Sequence, residues 1–108
     1  MIKELSVVIP IFNAAEWIDR TITRTEEAIR EASIQTYEII VIDDGSSDDT
    51  AKIVEKLRKK NKHIKLHVQE NKGRFIARKQ GVERARYNRI LFVDARTWID
   101  KGSLKFLS

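Results

Sequence analysis

The residues best suited to chemistry lie in the stretch VIDDGSSDDT, positions 41–50. A β-branched apolar run ends there in two adjacent aspartates, Asp43 and Asp44, followed by a glycine and two serines. Adjacent carboxylates repel, so the pair needs a reason: it starts a turn, or it holds a ligand. Several chemistries are disfavoured by pattern. The alternating ligands and closing glutamate of an EF-hand are missing. No GxGxxG follows the first apolar run and no GxxxxGK[ST] occurs, which weakens dinucleotide and P-loop readings. A phosphoacceptor aspartate at the end of the third strand is also missing, because Val68 leads into Gln69. His63 and His67 read as solvated surface histidines in preference to metal ligands. With no cysteine, disulfides, thiolate zinc sites and cysteine nucleophiles all drop out.

The elements that must position these residues follow from periodicity. Residues 5–11 form an apolar run ending near Pro10, which suits a buried strand that is finishing. Asn13 is a good N-cap with Glu16 three residues on, and Ile18, Ile22, Thr25, Ile29 and Ala32 then mark one face of a helix over 14–33. Trp17 is expected to pack against the sheet. Residues 37–42 form a second buried strand. Ser46 or Ser47 caps the next helix, with Asp48 and Asp49 in its first turn and Lys56, Arg58, Lys59 and Lys60 near its end, matching the helix dipole. Its core face is Ile53, Val54 and Leu57. Ile64, Leu66 and Val68 alternate with Lys65 and His67, the pattern of an edge strand. A third helix is expected over 72–87 with Phe75, Ile76, Val82 and Ala85 inward. A fourth strand follows over 89–94, and a further helix begins near Lys101. Arg84, Arg86 and Arg89 read as solvated charges. The β-α-β-α-β-α-β order predicts an α/β, doubly wound parallel sheet with strand order 3-2-1-4. In such sheets ligands bind beyond the carboxyl ends of the strands, where the order reverses. Those ends are residues 10–13, 43–46, 69–73 and 94–98, where the polar and special residues concentrate.

Length and composition bound the rest. The chain has 108 residues, 42% hydrophobic and 34% charged, which suits one domain with a real core. The net charge of +5 is unevenly spread: residues 1–70 carry 11 basic and 13 acidic side chains, residues 71–108 carry 10 and 3. That asymmetry fits an anionic partner, and equally fits solvated helix faces. No apolar run approaches the roughly 18 residues of a membrane span, and no signal peptide is apparent, so a cytoplasmic location is the expectation.

Four segments, VVIPIFNAAEWI, YEIIVIDDGSSDDT, NKGRFIARKQGVERA and RILFVDAR, together resemble the N-terminal nucleotide-binding half of family 2 glycosyltransferases of the GT-A fold, a Rossmann-like sheet. The resemblance runs through nearly all of the chain, in order and in register. It implies a nucleotide-diphosphate sugar as partner, commonly a UDP-sugar, with no nucleic acid. By position, Pro10, Ile11 and Phe12 would line the base pocket with Asn13 beside them, Phe12 standing where the family usually has tyrosine. Asp44 would accept a hydrogen bond from the base edge, with Asp43 as its alternative or support. Gly73 would let the backbone pass close to the ligand. Arg78 matches the family's helix arginine, against which stands a structural role on the helix face. The family usually has Asp-x-Asp after the fourth strand, whose last carboxylate binds Mg²⁺ or Mn²⁺. Here the residues are Asp94-Ala95-Arg96. Asp94 is the single metal candidate and could contact ribose; Arg96 replaces the metal ligand and could fork onto diphosphate oxygens itself.

The resemblance also implies a C-terminal half carrying the acceptor site and a carboxylate base for an inverting transfer. No aspartate or glutamate follows Asp100. Residues 1–108 therefore read as the N-terminal domain of a longer enzyme, unable to turn over alone, with membrane association of the full-length protein left open. Two other readings stand beside it: a nucleotide-binding module that has lost its metal chemistry, and a basic surface for nucleic acid or acidic headgroups. Trp98 could pack the next helix or flank the donor.

Overall fold

The computed structural model describes residues 3–94. Its elements run β1 (Glu4–Ile11), α1 (Ile18–Glu31), β2 (Thr36–Asp43), α2 (Thr50–Lys60), β3 (Ile64–Val68), α3 (Arg74–Arg84) and β4 (Ile90–Phe92). The four strands form one parallel sheet in the order β3-β2-β1-β4, as the pattern of the sequence predicts. The two central strands are buried on both faces, which is why they read as continuous apolar runs. Alternate residues serve opposite sides. Val7, Ile9, Ile11, Ile39 and Val41 pack with Ile18, Ile22 and Ile29 of α1 and Val54 of α2. Val8, Ile40 and Ile42 face the other way and meet Ala77 of α3. Trp17 packs against the first cluster, as expected. Three strands end level: Ile11 pairs with Asp43, and Asp43 with Val68.

Several local expectations are corrected. Helix α1 begins at Ile18, and Asn13 does not cap it; Asn13 takes φ 49°, the left-handed region, and its side chain serves the neighbouring loop instead. Helix α2 begins at Thr50, so no acidic residue lies in its first turn and neither Ser46 nor Ser47 is its cap; Asp48 accepts the Thr50 N–H at 3.0 Å from just outside. His63 is no solvated histidine: its ring stacks on Tyr37 at 4.1 Å between centroids. His67 lies 3.2 Å from Arg84, and burial, then that guanidinium, pushes its pKa down. The largest correction concerns α3. Phe75 is 78% exposed and Val82 44% exposed, while Ala77 and Gly81 face the sheet. The helix lies too close for larger residues: a Cβ at Gly81 would stand 2.2 Å from Val8 Cγ1. Strand β4 is shorter than expected, although Arg89 O and Val93 N extend its pairing with β1. Arg96, Trp98 and the helix expected near Lys101 lie outside the described residues. Among the described residues, no helix is long and apolar enough to cross a membrane.

One buried carboxylate braces the far end of the sheet. Glu38, 2% exposed, accepts hydrogen bonds from Ser6 Oγ at 2.6 Å, Arg86 N at 2.5 Å and Lys65 Nζ at 2.6 Å. Desolvation alone would raise its pKa, but the bonds from Lys65, Ser6 and Arg86 outweigh it and hold the group below its ordinary 4.5. A depressed folded pKa gives stability that is complete above the ordinary value and is lost as pH falls through the folded one. Glu38→Gln should therefore cost roughly 2–3 kcal/mol near neutral pH in urea unfolding, with the gap to wild type closing as pH drops below about 4.5. Gly81→Ala should cost about 1–3 kcal/mol by overpacking, read as a lower urea midpoint with an unchanged slope.

Candidate functional site

Three loops meet beyond the carboxyl ends of β1, β2 and β3, and side-chain-to-backbone hydrogen bonds join them. Asp44 follows β2 directly, and its own N–H bonds Ile11 O at the end of β1, at 2.8 Å. Its carboxylate reaches the opposite way. Oδ1 accepts from Gln69 Nε2 at 2.9 Å and from Lys72 N at 2.7 Å, and Oδ2 accepts from Gly73 N at 3.0 Å. The side chain is buried, and desolvation pushes its pKa up. The three hydrogen bonds more than offset that and hold the pKa below its ordinary value.

Asp43, the other member of the pair, forms a turn: Oδ1 accepts Ser46 N at 2.9 Å and Ser46 Oγ at 2.5 Å. The two carboxylates thus point into different donor sets, which is how side-by-side aspartates are tolerated. Asp43 makes the turn, while Asp44 holds a neighbouring loop. A second clamp ties the β1 and β2 loops. Asn13 Oδ1 accepts Ser47 N at 2.8 Å, Asn13 N donates to Ser46 Oγ at 2.8 Å, and Ala14 N donates to Thr50 Oγ1 at 2.9 Å. Asp48 accepts Ala15 N at 3.2 Å and also bonds the Thr50 hydroxyl.

Two glycines shape the loops for different reasons. Gly45 has φ 77°, and a Cβ there would meet Asn71 N at 2.9 Å and Gln69 O at 3.3 Å, so backbone passes backbone. Gly73 has φ 96°, and no atom of the described residues lies within 4 Å of a Cβ position there. It is the residue before α3, whose free N–H groups favour anions.

The expected site residues divide accordingly. Pro10, Ile11, Phe12, Asn13, Asp43, Asp44 and Gly73 lie at or just past the carboxyl ends of β1, β2 and β3, with Phe12 48% exposed. Asp94 follows β4 and pairs with Arg74 Nη2 at 3.5 Å. Arg78 sits one turn further along α3, its guanidinium 5.6 Å from the centre of the Phe92 ring, a contact with the edge strand. Arg96 lies outside the described residues. Gly45, Ser46 and Gln69 lie in the strand-end segments 43–46 and 69–73 that the sequence points to, but their individual bonds are not legible there; Asp48 and Thr50 lie outside those segments. An Asn-then-small-residue step after a strand is a readable sign of a left-handed turn, and FNAA carries it; beyond its place at a strand end, nothing in the sequence marks Gln69.

Among the described residues no three His, Cys, Asp or Glu side chains are grouped to hold a metal, and Asp94 faces a guanidinium. Two depressions lie elsewhere. One of about 630 Å³, lined by Glu26, Arg30, Tyr37, Asn61 and His63 among others, opens at the amino ends of β2 and β3. Another of about 730 Å³ is lined by Arg58, Lys59, Lys62 and Lys65 between α2 and β3. Neither includes an expected site residue.

With this geometry established, comparison with known proteins is decisive on family. The model for glycosyl transferase family 2 matches residues 6–107, and the chain belongs to that family. Poly-beta-1,6-N-acetyl-D-glucosamine synthase of Staphylococcus aureus is 31% identical over 102 residues, covering 94% of this chain and 24% of that protein. The putative glycosyltransferase EpsH of Bacillus subtilis is 31% identical over 96 residues, covering 89% and 27%. The chain therefore spans about a quarter of these relatives' length. Among solved structures, S. aureus TarS 1–349 in complex with UDP-GlcNAc matches with a TM-score of 0.81 and 29% identity, over 96% of this chain and 30% of that one. The mannosyltransferase PcManGT of Pyrobaculum calidifontis, in complex with GDP-Man and Mn²⁺, shares the fold with a TM-score of 0.77 at 21% identity, over 94% and 30%. The expected GT-A type of sheet is thus the observed one.

The two glycines make opposite demands. Gly45→Ala should lose about 2–4 kcal/mol in urea unfolding, because both φ and a backbone neighbour oppose it. Gly73→Ala should lose only about 1–2 kcal/mol, the cost of φ alone.

Proposed function

We propose that this chain is the donor-binding part of a glycosyltransferase that uses a UDP-sugar and, within the complete enzyme, transfers the sugar with inversion. The observation that carries the reading is Asp44: an ionised carboxylate, buried just past the carboxyl end of β2, with the half-exposed Phe12 just past the end of the neighbouring β1. The likeness to TarS, a structure of which holds UDP-GlcNAc, supports the choice of uracil.

In this reading Pro10, Ile11 and Phe12 form the apolar wall of the base pocket, and Phe12 offers a ring face to the base. Asn13 and Asp43 hold the pocket's loops in register. Asp44 accepts the base's N–H. Gly73 and the start of α3 admit the diphosphate, where backbone N–H groups and the helix dipole stabilise negative charge. Asp94 accepts from a ribose hydroxyl. Arg74, Arg78 and Arg96 supply positive charge, and Arg96 does so in place of a second carboxylate. The acceptor and the catalytic base belong to the rest of the enzyme, which is the partner of this chain. No step is assigned to a metal.

A second reading is favoured by one observation. The Asp94 carboxylate, which stands at the first position of the usual Asp-x-Asp, is engaged by Arg74. A non-catalytic nucleotide-sugar-binding module would look the same, and would stay inactive when joined to a complete C-terminal half.

Calorimetric titration of the 108-residue chain with UDP, GDP and ADP tests the proposal. UDP should bind best, Asp44→Ala should weaken it at least about tenfold (~1.4 kcal/mol), and Mn²⁺ should change little. Equal affinity for all three nucleotides contradicts the donor reading. Strong tightening by Mn²⁺ that EDTA abolishes contradicts the role given to Arg96.

A further inference from the structure

Asp44 can be followed lone pair by lone pair. An ionised carboxylate offers about four acceptor positions, two on each oxygen. Oδ1 has two partners, Gln69 Nε2 and Lys72 N, and is full. Oδ2 has one among the described residues, Gly73 N, and so keeps one position open to them. Two of the three donors are backbone N–H groups that no side-chain substitution removes. The third is Gln69, and it is held for this purpose at a cost. Its Oε1 is buried and has no partner among the described residues, while Nε2 donates to Asp44. A buried, unsatisfied carbonyl is unfavourable, and an apolar side chain of the same length would avoid it. The orientation of the amide is fixed, since the reverse would set two acceptors against each other.

We propose that Gln69 is a specificity-determining, positioning residue: it fills the second acceptor position on Asp44 Oδ1, so that the carboxylate can take only one further N–H. The inference rests on the donor-site reading of Asp44. A single vacancy fits an edge with one N–H between two carbonyls, as in uracil. Guanine presents a ring N–H beside an exocyclic amino group, two adjacent donors that pair with both oxygens of a carboxylate. With Oδ1 full, the second guanine donor would be left unsatisfied in a buried place, and such unpaired groups are what discriminate strongly between ligands. Removing the Gln69 donor opens Oδ1 and admits the two-donor edge.

Gln69→Met keeps length and apolar stem while deleting both amide atoms. The 108-residue chain and this variant are titrated with UDP and GDP, and their thermal midpoints are compared. The expected result is a midpoint close to wild type, because a lost hydrogen bond is offset by the removed orphan carbonyl, with a fall on the order of tenfold in the UDP-over-GDP preference. A merely structural role would move the midpoint or both affinities together and leave their ratio alone; an unchanged ratio overturns the inference while leaving the donor site intact. A second measurement needs no variant. UDP methylated at the one ring N–H of uracil should bind wild type at least about tenfold more weakly than UDP. Equal binding of the two overturns the single-vacancy account even if Gln69→Met fails to fold. Wild type that binds no UDP at all overturns both this inference and the donor reading.

Discussion

The Asp44 carboxylate is the constraint on which the rest of the site depends. A backbone bond fixes Asp44 to the end of β1, and its side chain fixes the loop before α3. One residue therefore joins three of the strand ends. Burial works against its charge, and three donors outweigh burial. The same balance makes it a strong, pre-oriented acceptor, because a carboxylate kept ionised in a mostly dry place interacts strongly with any donor that reaches it.

Two other hydrogen-bonded arrangements hold that geometry. At the site end, Asn13, Ser46, Asp48 and Thr50 bind the first two loops into one unit. At the opposite end, Glu38 gathers Ser6, Lys65 and the backbone before β4. Between them lies an apolar sheet whose second face is covered by a helix brought very near through Ala77 and Gly81. Close approach sets where α3 begins, and so where the Gly73 and Lys72 N–H groups stand relative to Asp44. Packing at Val8 and hydrogen bonding at Asp44 are in this sense one arrangement.

Much of this was readable from the residues. The continuous apolar runs of β1 and β2 gave central strands, the alternation of β3 gave an edge, and the spacing of the elements gave the strand order. The concentration of special residues at strand ends marked the loops that the structure brings together. What was not readable depended on contacts between distant segments. Asn13 has the chemistry of an N-cap, but its left-handed backbone turns its side chain toward Ser47. Phe75 and Val82 look like core residues by type, yet the small residues Ala77 and Gly81 occupy the inner face because the helix sits so near the sheet. Gln69 carries no local signal, since its meaning comes from a partner 25 positions away. Local patterns report propensity and burial; they do not report which loop a polar side chain will find.

The most direct measurement is an amide chemical-shift titration of the chain with UDP. The account predicts that the amides of Phe12, Asp44, Lys72 and Gly73 move together and saturate with a single affinity. Shifts confined to the depression lined by Glu26, Tyr37 and His63, or none at all with UDP in large excess, would contradict it.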